Sequence, residues 1–247
     1  MLEELKKDVK AVFAKDPAAR NTLEIILCYP GLHAIWLHRT AHFFWRCGLR
    51  LLARVISQFS RLLTGVEIHP GAEIGEGVFI DHGAGVVIGE TAEVGDGCLL
   101  FQGAILGGTS KTKTKRHPTL GKNVEVGAGA IILGPLHIGD GARIGAGSVV
   151  IRDVPTGSIA VGIPARVALG FSPKDIEELQ HGKLPDPVAE AFKEFIRMYD
   201  RLSARLAKLE SQEGLSDSID RAWEEKKQNF LKEFFPGGEK FNGGAGI

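Results

Sequence analysis

The chain predicts an α+β protein: an N-terminal helical domain, a parallel β-helix and a C-terminal helical, coiled-coil extension. Three observations carry that expectation. Apolar residues keep helical spacing up to about residue 64, from Ile68 the period becomes six, and after about Gly170 helical spacing returns. The expected boundaries are 1–64, 65–170, 171–235 and a flexible, glycine-rich tail over 236–247.

The first part opens with Leu2, Leu5, Val9, Val12 and Phe13 on one helical face. Asp16-Pro17 reads as a helix start, with Asp as N-cap and Pro at the first helical position. Pro30-Gly31 begins another apolar helix, and Gly48 breaks or bends it. Its histidines, His33, His38 and His42, read as packing or surface residues.

The six-residue period places Ile, Leu or Val at 68, 74, 80, 88, 94, 100, 106, 120, 126, 132, 138, 144 and 150. Four residues after each lies a mostly small side chain, among them Ala72, Ala84, Cys98, Ala104, Ser110 and Ala130. Helices do not tolerate the interspersed glycine, and a two-residue alternation does not generate this beat. A hexad reads instead as one short strand plus a tight turn, three to a coil, with the aliphatic residue stacked inward on its neighbour in the next coil. Two insertions break the beat. Two extra residues fall in "IDHGAGVV" and eight in "TSKTKTKRHPTLG", a stretch with three lysines, Arg116, His117 and no acid. Solenoids accept insertions at corners because each coil needs only its neighbours, and clustered insertions build sites.

In the last part Ser172-Pro173 and Asp186-Pro187 read as helix starts. Val188, Phe192, Phe195, Tyr199, Leu202, Leu206 and Leu209 alternate spacings of four and three, the seam of a coiled coil or, alternatively, the apolar face of a helix lying on the solenoid. A further helix is expected over about 218–235.

Composition bounds the partners. Thirty basic and thirty acidic residues give zero net charge, which argues against broad nucleic-acid or membrane binding. No apolar run has the length of a membrane span, and the N-terminus has no secretory h-region. Cys28, Cys47 and Cys98 lack metal-ligand spacing and read as buried free thiols of a reducing, cytoplasmic compartment.

"DPAARN" at 16–21, "YPGLHA" at 29–34, "EIHPGAEIG" at 67–75, "IDHGAGVVIGETA" at 80–92, "LGGTSKTKTKRHP" at 106–118 and "VGIPAR" at 161–166 resemble serine O-acetyltransferase, a hexapeptide-repeat acyltransferase. The likeness runs colinearly over about residues 10–170. It implies a left-handed β-helix, assembled as a homotrimer or a dimer of trimers. It also implies transfer of the acetyl group of acetyl-CoA to L-serine, the first step of cysteine biosynthesis, with no permanently bound cofactor or metal. A serine hydroxyl needs a general base, and histidine has the right pKa range. His82 matches the family's base and Glu67 its carboxylate partner, where family members often carry Asp. Asp16 and Asp81 match the positions facing the substrate ammonium. Arg116 suits the substrate carboxylate through paired donors, and His117 matches a second pocket histidine. Gly108, Ala128 and Ala146 match positions along the coenzyme A arm, and backbone N–H groups near Gly107 and Gly108 suit the thioester oxyanion. The resemblance further implies L-cysteine as feedback inhibitor. Capture of Ile247 and its carboxylate by O-acetylserine sulfhydrylase is also implied. Competing readings are a sugar or antibiotic acetyltransferase, a non-catalytic trimeric scaffold, and a zinc carbonic-anhydrase-like β-helix using His82, His117 and His137.

Overall fold

The computed structural model describes residues 2–168 and 186–213. Four helices come first: α1 (Leu2–Lys15), α2 (Thr22–Cys28), α3 (Pro30–Arg46) and α4 (Arg50–Thr64). The buried Asp8 carboxylate ties α1 to α3, accepting from both Arg39 guanidinium nitrogens (2.6 and 2.9 Å) and from Trp36 Nε1 (3.0 Å). Gly48, at φ 80°, makes the turn from α3 into α4. One expectation is corrected. Asp16 does not start a helix; its Oδ1 closes a turn by accepting from Ala18 N at 2.7 Å. Helix α2 starts at Thr22, capped by Asn21, whose Oδ1 accepts from Glu24 N at 2.9 Å.

The strands then wind a three-sided prism. The first face stacks β1 (Glu67–Ile68), β4 (Val87–Ile88), β7 (Ile105–Gly107), β10 (Ile131–Leu133) and β13 (Val149–Val150). The second stacks β2 (Glu73–Ile74), β5 (Glu93–Val94), β8 (Thr119–Leu120) and β11 (His137–Ile138). The third stacks β3 (Phe79–Ile80), β6 (Leu99–Leu100), β9 (Glu125–Val126), β12 (Arg143–Ile144) and β14 (Ile159–Gly162), with β15 (Ala165–Val167) antiparallel at its end. All other neighbours are parallel. The register records both insertions. Ile88 lies over Ile68, twenty residues on, Leu106 over Ile88 at eighteen, and Ile132 over Leu106 at twenty-six. Eighteen is the bare coil; the extra two and eight residues leave at corners without disturbing the stack. This is the left-handed parallel β-helix expected.

Inside, Ile68, Ile80, Ile88, Leu100, Leu106, Leu120, Val126 and Ile132 form one buried column with the small residues Ala72, Cys98, Ala104 and Ala130. Ser110 and Ala84 depart from the pattern: Ser110 lies exposed in the long insertion and Ala84 exposed on the widened corner. Of the three thiols expected to be buried only Cys98 is, Cys28 and Cys47 being exposed in the helical region. The helices close the prism's first coil. Ser57 Oγ donates to the free carbonyl of Ile68 at 2.7 Å, covering an edge strand. Gly31 meets Ile80 so closely that a β-carbon there would collide with its carbonyl.

Outside, the three faces differ. Strand alternation turns Val87, Ile105, Ile131 and Val149 outward on the first face, an aliphatic ladder left half-buried. The second presents Glu73, Glu93, Thr119 and His137. On the third, Phe79 and Leu99 are covered by Val12, Ile25 and Leu32 of the helices, and above them Arg143 pairs with Glu125 at 3.2 Å. Helix α4 is inverted in polarity. Ala53, Ser57, Ser60 and Thr64 are buried, whereas Leu51, Val55, Phe59 and Leu62 are more than half exposed.

The helices and the prism form one compact unit, and the chain after residue 181 forms another. In the latter, α5 (Pro187–Glu213) starts as expected, with Asp186 Oδ1 accepting from Val188 N at 3.0 Å. Over 27 residues it presents Phe195, Leu202, Leu206 and Leu209 exposed on one stripe. The expected helix start at Ser172-Pro173, the helix over 218–235 and the tail 236–247 lie outside the described residues. Among the described residues no helix is long and apolar enough to cross a membrane.

Candidate active site

Two insertions and one turn carry the candidate residues, and the prism sorts them onto two edges. The two-residue insertion widens the corner between β3 and β4, where the third face meets the first. His82 sits there at φ 58°, in the left-handed region that non-glycine residues seldom occupy. The flanking Gly83 and Gly85 also have positive φ. This turn throws the imidazole outward, its side chain 72% exposed, with Nε2 3.8 Å from Asp81 Oδ2. Asp81 itself is mostly covered.

Asp16 comes to the same edge from the helical side. Its Oδ2 accepts from the Tyr29 hydroxyl at 2.5 Å. That bond, with smaller contributions from burial and from the charges of Asp16, Glu24 and Asp81, pushes the Tyr29 phenol up to about 12. Beside Asp16, Lys15 Nζ donates to the carbonyls of Gly97 and Cys98, pinning the end of α1 to the prism. Asp16, Tyr29, Asp81 and His82 thus share one neighbourhood.

Glu67 is not joined to His82 by a hydrogen bond or ion pair. Its Oε2 meets Arg61 of α4 at 3.0 Å instead, a pair in which Arg61 is exposed and Glu67 half-buried.

The eight-residue insertion leaves the corner between β7 and β8, where the first face meets the second. Arg116 forms an ion pair there with Glu90, one coil below, and holds its carboxyl below the usual range. His117 folds inward and is buried; its Nδ1 lies 2.9 Å from Thr91 Oγ1 and 3.2 Å from Thr91 N. Burial, then the Arg116 charge, lowers its pKa. A β-carbon at Gly89 would collide with this ring, and one at Gly108 would sit 3.0 Å from its Nε2. Thr91 Oγ1 also accepts from the backbone N–H groups of Arg116 (3.0 Å) and His117 (3.1 Å). Lys115 anchors the loop to Thr91 O and Glu93, both at 2.7 Å, whereas Lys111 and Lys113 are exposed. Below, His69 packs edge-on to Trp45 at 5.0 Å, and burial pushes its pKa down to about 4.

The two groups therefore bound the first face on opposite sides, one face-width apart. One chain brings Asp16, Asp81 and His82 together, and Arg116, His117 and Gly108 together, but not the one set with the other. Ala128 and Ala146 stand on the His82 edge, in a column where Gly103 N donates to Ala84 O (2.9 Å), Gly129 N to Gln102 O (2.8 Å) and Gly147 N to Ala128 O (2.8 Å). Gly129 and Gly147 have nothing within 4 Å of where a β-carbon would stand, so this edge is open to solvent.

Three of these residues escaped the sequence reading: Tyr29, Glu90 and Thr91. For the last two a signal existed. A coil of eighteen plus the eight-residue insertion places Glu90 and Thr91 under Arg116 and His117. Among the described residues no cluster of three or more His, Cys, Asp or Glu could hold a metal ion.

Comparison with known proteins accords with this architecture. Residues 117–152 match the family model "Bacterial transferase hexapeptide (six repeats)". The serine acetyltransferase of Bacillus pumilus is 54% identical over 209 residues, covering 85% of this chain and 96% of that protein. The chain belongs to the serine acetyltransferase family. Among solved structures, the Neisseria gonorrhoeae serine acetyltransferase in complex with serine is 40% identical at a TM-score of 0.66, covering 68% of each chain. A serine acetyltransferase in complex with cysteine is 38% identical at a TM-score of 0.67, covering 68% of this chain and 69% of that one.

Proposed function

We propose that the chain transfers the acetyl group of acetyl-CoA to the hydroxyl of L-serine, giving O-acetyl-L-serine and CoA in cysteine biosynthesis. The observation that carries this reading is the exposed His82, held at positive φ on a widened corner beside Asp81 and Asp16, in a chain of this family. His82 takes the proton from the serine hydroxyl as its oxygen attacks the thioester carbonyl. The tetrahedral oxyanion is held by backbone N–H groups near Gly107 and Gly108. It collapses with loss of CoA thiolate, which receives the proton from the imidazolium. Glu67 orients His82 and stabilises the imidazolium once it leaves Arg61; exposed ion pairs contribute little, so that exchange is cheap. Asp16 and Asp81 receive the serine ammonium, Arg116 its carboxylate and His117 its backbone side. The acetyl-CoA arm lies along the open column past Ala128 and Ala146, with Gly108 opposite.

Such a site closes only between copies. Copies arranged around a three-fold axis with their first faces inward join the His82 edge of one to the Arg116 edge of the next. The outward ladder of Val87, Ile105, Ile131 and Val149 supports that packing, because it is the aliphatic face that the helices leave uncovered. The apolar stripe of α4 adds surface for assembly, and the heptads over 188–209 suit a coiled coil between copies.

The test measures loss of thioester absorbance with L-serine against other hydroxyl acceptors, for the native chain and for His82→Ala. Turnover confined to L-serine and reduced by roughly 10²–10⁴-fold in the variant is expected. A folded His82→Ala chain with full activity overturns the assignment of the base.

A further inference from the structure

The phenol of Tyr29 is a polar group at the His82 edge to which the proposed reaction gives no part. It stands at the joint between α2 and α3, where it serves as the unassisted N-cap residue of α3. Its ring packs on Phe79 of β3, with centroids 6.3 Å apart. Val12, Ile25, Leu32, Phe79 and Leu99 form the buried cluster beneath it. The hydroxyl spends its proton on Asp16 Oδ2 at 2.5 Å, and Asp81 lies close enough to act on the phenol through its charge.

Asp16 lies on a turn, not in a helix. Its other oxygen is taken by Ala18 N. Without Tyr29 the carboxylate would keep only that local bond, and its second oxygen would turn freely about the side-chain torsions. The ring is fixed by the prism and the carboxylate by the ring. The direction in which Asp16 faces the substrate is therefore set by the β-helix, not by the helix end that carries it.

We propose that Tyr29 is a positioning residue that aims the Asp16 carboxylate at the ammonium of the amino-acid substrate, and so sets selectivity for α-amino acids over their deaminated analogues. This rests on the assignment of Asp16 to the ammonium. A carboxylate with one lone pair of one oxygen engaged by the phenolic hydroxyl and one of the other by a backbone N–H holds its remaining lone pairs at fixed bearings. A primary ammonium fills those bearings, and a hydrogen at the same carbon leaves them empty. Tyr29 spends its hydroxyl on Asp16, so its effect falls on recognition.

The experiment compares two inhibitors in the full-length enzyme. L-Cysteine carries the ammonium; 3-mercaptopropionate keeps the thiol and carboxylate without it. Thioester absorbance gives the KM of L-serine, the KM of acetyl-CoA and both inhibition constants for the native chain, Tyr29→Phe, Asp16→Asn and the double variant. Tyr29→Phe keeps the ring and its packing. It is expected to weaken L-serine and L-cysteine by about tenfold, the scale of a hydrogen bond to a charged group, while 3-mercaptopropionate and acetyl-CoA hold their native values. In the double variant Tyr29→Phe adds nothing to the loss from Asp16→Asn. Equal weakening of cysteine and 3-mercaptopropionate, or additive losses in the double variant, overturns the role of Tyr29. If Asp16→Asn leaves the cysteine-to-mercaptopropionate ratio native, the assignment of Asp16 itself falls, which separates the two failures.

Discussion

Placing His82 and Arg116 on opposite edges of one face makes a quantitative prediction about mixtures of chains. A chain with His82→Ala keeps an intact Arg116 edge, and one with Arg116→Ala keeps an intact His82 edge. Each alone is nearly inactive: the first lacks its base, and the second its paired donors to the substrate carboxylate. Glu90 then reaches water, so the second variant leaves no buried charge. In a closed ring of three, each site joins the His82 edge of one copy to the Arg116 edge of the next. After random 1:1 exchange a site has both halves intact with probability one half times one half, about one quarter of native activity per chain. The reciprocal mixture sharpens the test. Wild type mixed 1:1 with the double variant His82→Ala/Arg116→Ala also gives about one quarter if sites are shared, but one half if each chain holds its own. The two differently tagged chains are unfolded and refolded together, mixed oligomers are verified by tandem affinity capture, and thioester loss is read. Mixed oligomers without recovery in the first experiment, or with one half retained in the second, refute the shared site.

Further outcomes follow from other residues. His38 is buried, and that burial pushes its pKa down to about 3 from 6.5. The unfolded chain therefore binds a proton that the folded chain refuses, and stability falls as pH drops from 6.5 toward 3. Replacing His38 with Gln should flatten thermal stability against pH there by up to about 1.4 kcal/mol per pH unit. An unchanged slope counts against the buried neutral imidazole. Ile131→Asp puts a carboxylate in the middle of the outward ladder and should yield folded, largely inactive monomers in light scattering; an intact oligomer removes the first face as the contact. Deleting Ile247 should abolish binding to O-acetylserine sulfhydrylase in calorimetry and leave acetyl transfer native. Equal binding by both chains discards the tail as anchor.

The prism was legible because its rule is local: one aliphatic residue per hexad, a small one four places on, and insertions that add to the period without shifting it. The same rule places Glu90 beneath Arg116, once the coil length is corrected for the eight inserted residues. What escaped the sequence is contact between regions of different period. Asp16-Pro17 resembles a helix start in every local respect. The competing claim on its side chain comes from Tyr29, thirteen residues on, whose position depends on how α3 lands on β3. Glu67 shows the same limit. Its family position marks it for His82, but the inverted α4 brings Arg61 to it first.

The column on the His82 edge has a consequence of another kind. Ala84, Gln102, Ala128 and Ala146 stand one above the other at the spacing of adjacent strands, about 4.8 Å, so four rungs span about 14 Å. A ligand lying there is measured in whole coils. Its reach is graded by how many turns the solenoid makes beyond the corner of His82, and each turn, eighteen residues where it carries no insertion, is a block that packs on its immediate neighbours. Donor length in such an enzyme is written as a count of repeats, and evolution or design can lengthen or shorten the scale without touching the chemistry at its zero mark.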